Sequence, residues 1–175
     1  MADRPGARFR IEVLSGEHDR SSFSCGVPDL DVYIREHAGQ DAKRHMAAVF
    51  VLLEDRPIVL GYYTLSQQVI SVEDLPTDTG KRLPRYPLLT ATLIGRFAID
   101  AARQGDGLGT LLLMDAFHRS WRAAQTVASY AVMVDATDER ARDFYLRRDF
   151  LAFRDERLKL FMPIATLDLL FSEGR

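Results

Sequence analysis

Six residues, Gln104 to Gly109, form a glycine-rich segment (Gln-Gly-Asp-Gly-Leu-Gly) whose composition and position predict an anion site. An apolar, strand-like run that ends at Ile99 precedes the segment, and a strongly amphipathic helical stretch follows it. Glycines let the backbone approach an anion closely, and amides at a helix start point at it with the helix dipole behind them. The segment therefore predicts a phosphate site, although a plain tight turn in front of a helix would have the same composition.

The elements that must position this segment follow from the periodicity of the apolar residues. Strands are predicted over residues 8–14, 46–53, 58–65, 88–99, 130–134 and 158–162. Helices are predicted over residues 28–38, 108–124 and 139–148, followed by a short C-terminal helix whose first turn Pro163 can occupy. Residues 73–87, rich in proline and glycine, are predicted to form a long loop, and such loops are often functional. The pattern indicates an α/β fold with a mixed sheet.

Composition favours one globular domain over residues 1–175, with 47% apolar residues. No run approaches the ~20 apolar residues of a membrane span, and the N-terminus lacks a signal peptide, so a cytoplasmic protein without membrane association is expected. The single Cys25 cannot form an internal disulfide. The net charge of −2 excludes a basic field over the whole molecule, but basic residues outnumber acidic ones after residue 78. A local basic face therefore stays possible.

The order of elements resembles the GNAT acetyltransferase fold, in which helices flank a central mixed and splayed β-sheet. The spacing Gln104-x-x-Gly107-x-Gly109 is similar to the acetyl-CoA signature of that family. Further segments resemble the GNAT toxins of bacterial toxin–antitoxin pairs, and the likeness extends from about residue 10 to residue 171. These segments are residues 23–31, 61–65, 83–87 and 95–100, and Asp135-Ala136 followed by Ala141 and Phe144-Tyr145.

This resemblance implies an enzyme that uses acetyl-CoA as a cosubstrate and needs no metal. Members of the toxin group acetylate the α-amine of aminoacyl-tRNA and so stop translation. They are typically homodimers held in check by a ribbon-helix-helix antitoxin. The sequence leaves two alternatives open: a GNAT enzyme acting on a small amine or a protein N-terminus, and a non-catalytic acetyl-CoA-binding protein.

The resemblance also implies which residues bind acetyl-CoA. The pyrophosphate would lie on the backbone amides of Gln104 to Thr110, and the pantetheine arm would pair with the strand that ends at Ile99. An amide of that strand would polarise the thioester carbonyl. A simple core strand is compatible with this role, because the contacts are made by the main chain. The residues expected to bind the cosubstrate are Phe97, Ala98, Ile99, Gln104, Gly105, Asp106, Gly107, Leu108, Gly109 and Thr110.

Tyr145 is the catalytic residue that the resemblance implies. A phenol with a pKa of about 10 is protonated at pH 7 and can donate to the departing CoA thiolate, whose conjugate acid has a pKa of about 8.5. That transfer is uphill by roughly 2 kcal/mol before the surroundings are considered. From the residue types alone, Tyr145 would be interpreted as a core tyrosine beside Phe144.

No general base stands out, because the four histidines are scattered along the chain. An α-amine with a pKa of about 7.7 is substantially neutral at pH 7, whereas a lysine with a pKa of about 10.4 is not. An enzyme without a base therefore favours an α-amine over a lysine side chain as the acceptor.

Basic residues could form a rim that contacts the phosphates of tRNA. The residues expected to bind this substrate are Arg82, Arg85, Arg96, Arg147 and Arg148, with Lys43, Arg44, Lys81 and Tyr86 as neighbours. The alternative is that they are ordinary solvated cations at a loop and at a helix end. One departure from the toxin group is Asp149, which stands where a glycine is usual, although aspartate tolerates the left-handed conformation better than most residues.

Overall fold

The structure is a computed structural model that describes residues 8–83 and 86–172. Within these residues, helices accompany a seven-stranded sheet with the order β1-β2-β3-β4-β5-β7-β6. The strands are β1 (Arg10–Val13), β2 (Ala48–Leu53), β3 (Gly61–Ser71), β4 (Leu88–Ile99), β5 (Ala131–Asp135), β6 (Leu151–Ala152) and β7 (Lys159–Pro163). The β4–β5 pair is parallel and the β1–β2, β2–β3, β5–β7 and β6–β7 pairs are antiparallel. The predicted α/β fold with a mixed sheet is confirmed.

All four predicted helical regions are present, and the one over residues 108–124 has the predicted bounds, but the other three differ from the prediction at one end. The helices are α1 (Pro28–Val32), α2 (Ala38–Lys43), α3 (Thr77–Lys81), α4 (Leu108–Ala124), α5 (Glu139–Leu146) and α6 (Ile164–Ser172). A π-helical turn, Tyr33–His37, connects α1 to α2, so this helical region extends beyond the predicted end at residue 38. The predicted C-terminal helix is present as α6, but Pro163 is the last residue of β7 and directly precedes the first turn of the helix instead of lying within it.

The region predicted as a long loop is more ordered than its prolines and glycine suggested. It contains a 3₁₀ turn (Val72–Asp74) and the short helix α3. The Val72 N–H donates to the Pro87 carbonyl at 3.1 Å, which closes the two ends of the segment. Leu75, only 1% exposed, anchors it in a core. The prediction of an irregular loop was therefore wrong for residues 73–81, because one buried leucine and local hydrogen bonds order that part of the chain.

The described chain divides into two compact units. The first comprises the chain up to Leu65 together with Arg96–Ala116, and its core joins apolar residues of β2 and β3 to the helical region. That core contains Phe23, Tyr33, Ile34, Ala38, Val49, Val51, Leu53, Val59, Tyr62 and Ala98. Burial of each large apolar side chain contributes about 1.5–3 kcal/mol, so this cluster is the main source of local stability.

The second unit comprises Ser66–Gly95 and the chain from Phe117 onward. Its core contains Ile70, Leu75, Ala91, Ala131, Met133, Phe153 and Phe161. The parallel β4–β5 register runs from Ala91 opposite Ala131 to Ile94 opposite Val134. Beyond that register β4 continues to Ile99, within the first unit. The predicted splay of the sheet stays a prediction.

Candidate active site

The glycine-rich turn joins β4 to α4 within the first unit, as predicted. Asp100 caps the 3₁₀ turn Ala101–Arg103, where its carboxylate accepts from the Ala102 N–H at 2.9 Å. Gly105 and Gly107 then take φ values of 87° and 79°. Because a residue with a Cβ pays about 1–2 kcal/mol in this left-handed region, glycine is the residue type that this path requires. The turn ends where α4 begins at Leu108.

The space beside this turn is open. Apart from the adjacent residues in the chain, no described atom lies within 4 Å of the position that a Cβ of Gly105 or Gly107 would occupy. Residues 108–110 form the first turn of a 17-residue helix, and N–H groups at such a position point along the axis toward an anion. The backbone therefore offers both access and donors at the predicted position.

The side chains of the turn contact their own protein. Gln104 Nε2 donates to the Cys25 carbonyl at 3.0 Å and to the Ile99 carbonyl at 3.1 Å. Arg103 donates through Nε to Asp106 at 3.0 Å and through Nη1 to Glu54 at 2.8 Å. The side chains of Gln104 and Asp106 therefore stabilise the turn. Only the main-chain amides of these two residues are left to donate to a phosphate. The sequence did not identify Arg103 or Glu54, because their pairing joins distant parts of the chain.

The end of β4 lies close to β3. Ala98 is buried, Phe97 and Ile99 are partly buried, and the Asp100 N–H donates to the Leu60 carbonyl at 2.8 Å. A Cβ on Gly61 would lie 2.7 Å from Ile99 Cδ1 and 3.1 Å from the Ala98 carbonyl oxygen. Gly61 therefore permits the close approach that positions the predicted pantetheine strand.

Tyr145 lies in α5, within the second unit, and its side chain is buried. The ring makes edge-on contacts with Phe144 and Phe150, with centroid distances of 5.2 Å in both cases. Burial raises the pKa of Tyr145 well above its usual range, because the anionic phenolate would lose its hydration. The phenol is therefore protonated at neutral pH, as a proton donor requires.

The end of α5 forms a Schellman motif after the tyrosine. The Phe150 N–H donates to the Tyr145 carbonyl at 3.3 Å and the Asp149 N–H donates to the Leu146 carbonyl at 3.2 Å. Asp149 has a φ of 67°, so the prediction that aspartate tolerates the left-handed turn at this position is confirmed.

The predicted substrate-binding arginines occupy different surroundings. Arg82 and Arg147 are exposed in the second unit, and Arg85 lies outside the described residues. Arg148 lies over the Phe144 ring at 3.7 Å, and burial, followed by the charge of Arg147, lowers its pKa. Arg96 belongs to the first unit, where its guanidinium lies 3.6 Å from the centroid of the Tyr33 ring.

Residues 8–83 and 86–172 contain neither a membrane-spanning helix nor a cluster of metal-ligating side chains. No helix of these residues has the length and apolar character needed to cross a membrane. No group of three or more His, Cys, Asp or Glu side chains among them is arranged to hold a metal ion.

Two curated proteins are similar to the chain over most of its length. It is 35% identical over 138 residues to a tRNA-acetylating toxin of Mycobacterium tuberculosis, covering 78% of this chain and 81% of that protein. It is 30% identical over 176 residues to the probable toxin TacT of Sinorhizobium fredii, covering 95% and 97% of the two chains. No family model matches the sequence.

Solved structures of similar toxins superpose on the chain. AtaT complexed with acetyl-methionyl-tRNAfMet has a TM-score of 0.87 and 29% identity, covering 94% of this chain and 99% of that one. A Tyr-to-Phe mutant of KacT has a TM-score of 0.87 and 31% identity, with coverages of 93% and 99%. A Tyr-to-Phe mutant of AtaT, bound to acetyl-CoA and the C-terminus of the antitoxin AtaR, has a TM-score of 0.80 and 27% identity, with coverages of 94% and 99%.

The glycine turn at the start of α4, the mixed sheet and the similarity over most of the sequence all lead to the same family. The chain belongs to the GNAT acetyltransferase toxins of bacterial toxin–antitoxin systems.

Proposed function

We propose that residues 1–175 act as one domain that transfers the acetyl group of acetyl-CoA to the α-amine of an aminoacyl-tRNA and so stops translation. The observation that carries this proposal is the open turn at Gly105 and Gly107 in front of α4, in a chain 35% identical to a tRNA-acetylating toxin. The structure of AtaT with acetyl-methionyl-tRNAfMet supports the same class of acceptor.

The backbone of the first unit supplies the acetyl-CoA site in this proposal. The amides of Gln104 to Thr110 bind the pyrophosphate, with Gly105 and Gly107 leaving room for it. The strand residues Phe97 to Ile99 pair with the pantetheine arm. The Gln104 side chain fixes the glycine-rich turn against the end of β4, because it donates to the Ile99 carbonyl and to the Cys25 carbonyl.

Tyr145 supplies the proton that the departing thiolate needs. The amine attacks the thioester carbonyl, the bond to sulfur breaks, and the phenol protonates the sulfur. The nitrogen loses one proton to solvent as the amide forms, and the phenolate regains one proton from solvent before the next cycle. Burial raises the pKa of Tyr145 and makes the phenol a weaker acid, but the same dry surroundings raise the pKa of a thiol placed beside it. The shared surroundings therefore shift the pKa values of the phenol and the thiol in the same direction.

The proposed acceptor is an α-amine, because no general base stands out in the sequence and an α-amine needs none. An amine with a pKa of about 7.7 is substantially neutral at pH 7. The exposed arginines Arg82 and Arg147, with Arg148 and Arg96, bind phosphates of the tRNA, and we include Arg85 in this set from the sequence.

The toxin acts in the cytoplasm as a homodimer, and a ribbon-helix-helix antitoxin is its partner. The antitoxin partner is supported by the structure of AtaT with the C-terminus of the antitoxin AtaR and by a KacTA–DNA complex, which has a TM-score of 0.80. The homodimer and the cytoplasmic location rest on the resemblance of the sequence to the toxin group.

The deciding experiment is transfer of labelled acetyl groups from acetyl-CoA to a pool of charged tRNA, followed by ribonuclease digestion and identification of the modified aminoacyl-adenosine. We expect label on one or a few aminoacyl species. Replacing Tyr145 with phenylalanine should lower kcat by about 10²–10⁴-fold while leaving acetyl-CoA binding unchanged. The matched control is Tyr130→Phe, a partly buried tyrosine beside the core of the second unit, which should keep its activity.

Two results would overturn parts of the proposal separately. Tight acetyl-CoA binding with no label on charged tRNA would assign the enzyme to a small amine or a protein N-terminus. Unchanged transfer by Tyr145→Phe would remove the tyrosine from the chemistry while leaving the acceptor in place.

A further inference from the structure

The helical region that precedes β2 contains a π-helical turn, and this turn determines which side chains share a face. The Ala38 N–H donates to the Tyr33 carbonyl, five residues earlier, where an α-helix would pair residues four apart. Such turns are rare and occur frequently at functional sites. The turn therefore changes which later side chain lies on the same face of the helical region as Tyr33.

The π-helical turn brings Asp41 onto the same face as Tyr33. The Tyr33 hydroxyl donates to Asp41 Oδ2 at 3.0 Å. Residues eight apart in a regular α-helix differ by about 80° around the axis, whereas residues seven apart differ by only about 20°. The π-helical turn takes up one extra residue, so Tyr33 and Asp41, eight residues apart, lie at nearly the same angle around the axis as residues seven apart in an α-helix. The hydrogen bond between them therefore depends on the turn.

The ring of Tyr33 is held on several sides by the first unit. It is 4% exposed and stacks on Tyr62 with a centroid distance of 6.2 Å. Tyr62 is fixed in turn, because its hydroxyl donates to the Leu30 carbonyl at 2.7 Å. Tyr33 is therefore a rigid aromatic surface with its hydroxyl anchored at Asp41.

Arg96 lies on this surface, in the part of β4 that leads into Phe97-Ala98-Ile99. Its guanidinium carbon is 3.6 Å from the Tyr33 ring centroid, and its backbone N–H donates to Thr64 Oγ1 at 3.0 Å. Among the residues that the structure describes, no carboxylate pairs with the guanidinium and no acceptor takes a hydrogen bond from it. A partly buried cation in this state keeps its N–H donors for an anionic ligand.

We propose that Tyr33 is a positioning residue that holds the Arg96 guanidinium toward a phosphate at the acceptor end of charged tRNA, with Asp41 fixing the tyrosine. The inference rests on the proposed function for the identity of the ligand. Arg96 makes the contact, and Tyr33 acts through it by limiting the guanidinium to one orientation before the substrate binds.

The kinetic test compares variants at Tyr33 with the wild-type enzyme. Tyr33→Leu should raise KM for charged tRNA about 3- to 30-fold, the size of a cation–π contact, with the KM for acetyl-CoA and the kcat per folded enzyme unchanged. Tyr33→Phe keeps an aromatic surface and should stay within about twofold of wild type. In an Arg96→Met background, Tyr33→Leu should add nothing, because the contact is already absent.

Tyr63→Leu is the matched control for loss of a buried tyrosine. Tyr63 is fully buried, donates its hydroxyl to Asp115 Oδ2 at 2.6 Å and stacks on Phe50 at 5.1 Å. A cavity at either position lowers the folded fraction and hence the apparent kcat. Only Tyr33→Leu should raise KM for charged tRNA.

A second readout does not depend on the acceptor. The Nε–H proton of Arg96, assigned by its loss in Arg96→Lys, should have a ring-current-shifted NMR resonance because it lies over an aromatic face. The shift should be lost in Tyr33→Leu. It should be reduced to a similar, smaller extent in Tyr33→Phe and Asp41→Ala, because each removes the hydrogen bond between the two side chains but keeps the aromatic ring. Asp41→Ala also serves as a milder change if the leucine variant does not fold.

The outcomes separate this inference from the proposed function. An unchanged KM in Tyr33→Leu, additive effects with Arg96→Met, or a rise in KM for acetyl-CoA instead would overturn the inference. If the wild-type enzyme labels no charged tRNA, the proposed function is wrong. The NMR measurement alone then tests whether Tyr33 positions Arg96. An Arg96 resonance that is unchanged in both Tyr33 variants would contradict that positioning.

Discussion

At the scale of single residues, the surroundings of Tyr145 suit a proton donor and not a proton acceptor. The ring lies among Phe144 and Phe150, and burial raises its pKa. A phenol of this kind stays neutral over the whole range in which the acceptor amine becomes neutral. The protonation state of the amine, and not that of Tyr145, should therefore set the pH dependence of the reaction.

The pH profile of kcat/KM tests this conclusion. With aminoacyl-tRNA as the acceptor, kcat/KM should rise through the pKa of the α-amine, near 7.7 for a free amine, and then stay level up to about pH 10. The sign follows from the raised pKa: the active phenol is lost only when pH passes the folded-state value, which lies above 10. A decline that begins below pH 9 would show that another group supplies the proton.

At the scale of elements, the approach of β3 to the end of β4 depends on one glycine. Gly61→Ala would place a methyl group 3.1 Å from the Ala98 carbonyl oxygen, and the strand must shift to relieve it. We expect a loss of about 1–3 kcal/mol in the free energy of unfolding, together with a higher Kd for acetyl-CoA measured by calorimetry.

Gly39→Ala is the matched control for this glycine. Gly39 lies in α2, and an added Cβ would lie 3.6 Å from Arg20 Nη1, which is ordinary contact. This variant should gain about 0.5–1 kcal/mol of stability from helix propensity without changing acetyl-CoA affinity. Equal acetyl-CoA affinities in the two alanine variants would contradict the role assigned to Gly61.

Two helix ends place residues with a Cβ in the left-handed region. His45 follows α2 with a φ of 56° and Asp149 follows α5 with a φ of 67°. Replacing either with glycine removes the steric cost and should raise the free energy of unfolding by about 0.5–1 kcal/mol in urea titrations. Asp149→Ala should lower stability instead, and a stabilised alanine variant would contradict the strain argument.

At the scale of the whole molecule, buried phenols make folding sensitive to alkali. Burial raises the pKa of Tyr33 to about 12 and raises the pKa values of Tyr62 and Tyr145 further. A group with a raised folded-state pKa contributes full stability below its unfolded value of about 10 and loses it as pH rises above that value. Each such phenol adds a slope of up to about 1.4 kcal/mol per pH unit.

The free energy of unfolding should therefore be level through neutral pH and fall steeply above about pH 10. Replacing Tyr33 with phenylalanine should reduce that slope between pH 10 and about 12. Replacing Tyr86, which is 65% exposed, should leave the slope unchanged. Parallel curves for wild type and Tyr33→Phe would contradict the contribution of Tyr33.

The sequence by itself determined the features that depend on neighbours along the chain. The bounds of β4 and α4, the left-handed Asp149 and the glycine turn were predictable, because strand and helix periods, glycine and aspartate have local conformational consequences. The same local signals misjudged residues 73–81, where an irregular loop was predicted but Leu75 and local hydrogen bonds order the chain.

Only the tertiary structure decided how distant residues meet. The contacts of Gln104 with the Cys25 carbonyl, of Gly61 with Ala98, and of Arg96 with Tyr33 join positions that are remote in the sequence. The π-helical turn has no local signal either, because it is stabilised by the packing of the Tyr33 ring and its hydrogen bond to Asp41. Such arrangements depend on the free energy of the whole packed core, to which residues far apart in the sequence contribute together, so a short segment of the sequence cannot predict them.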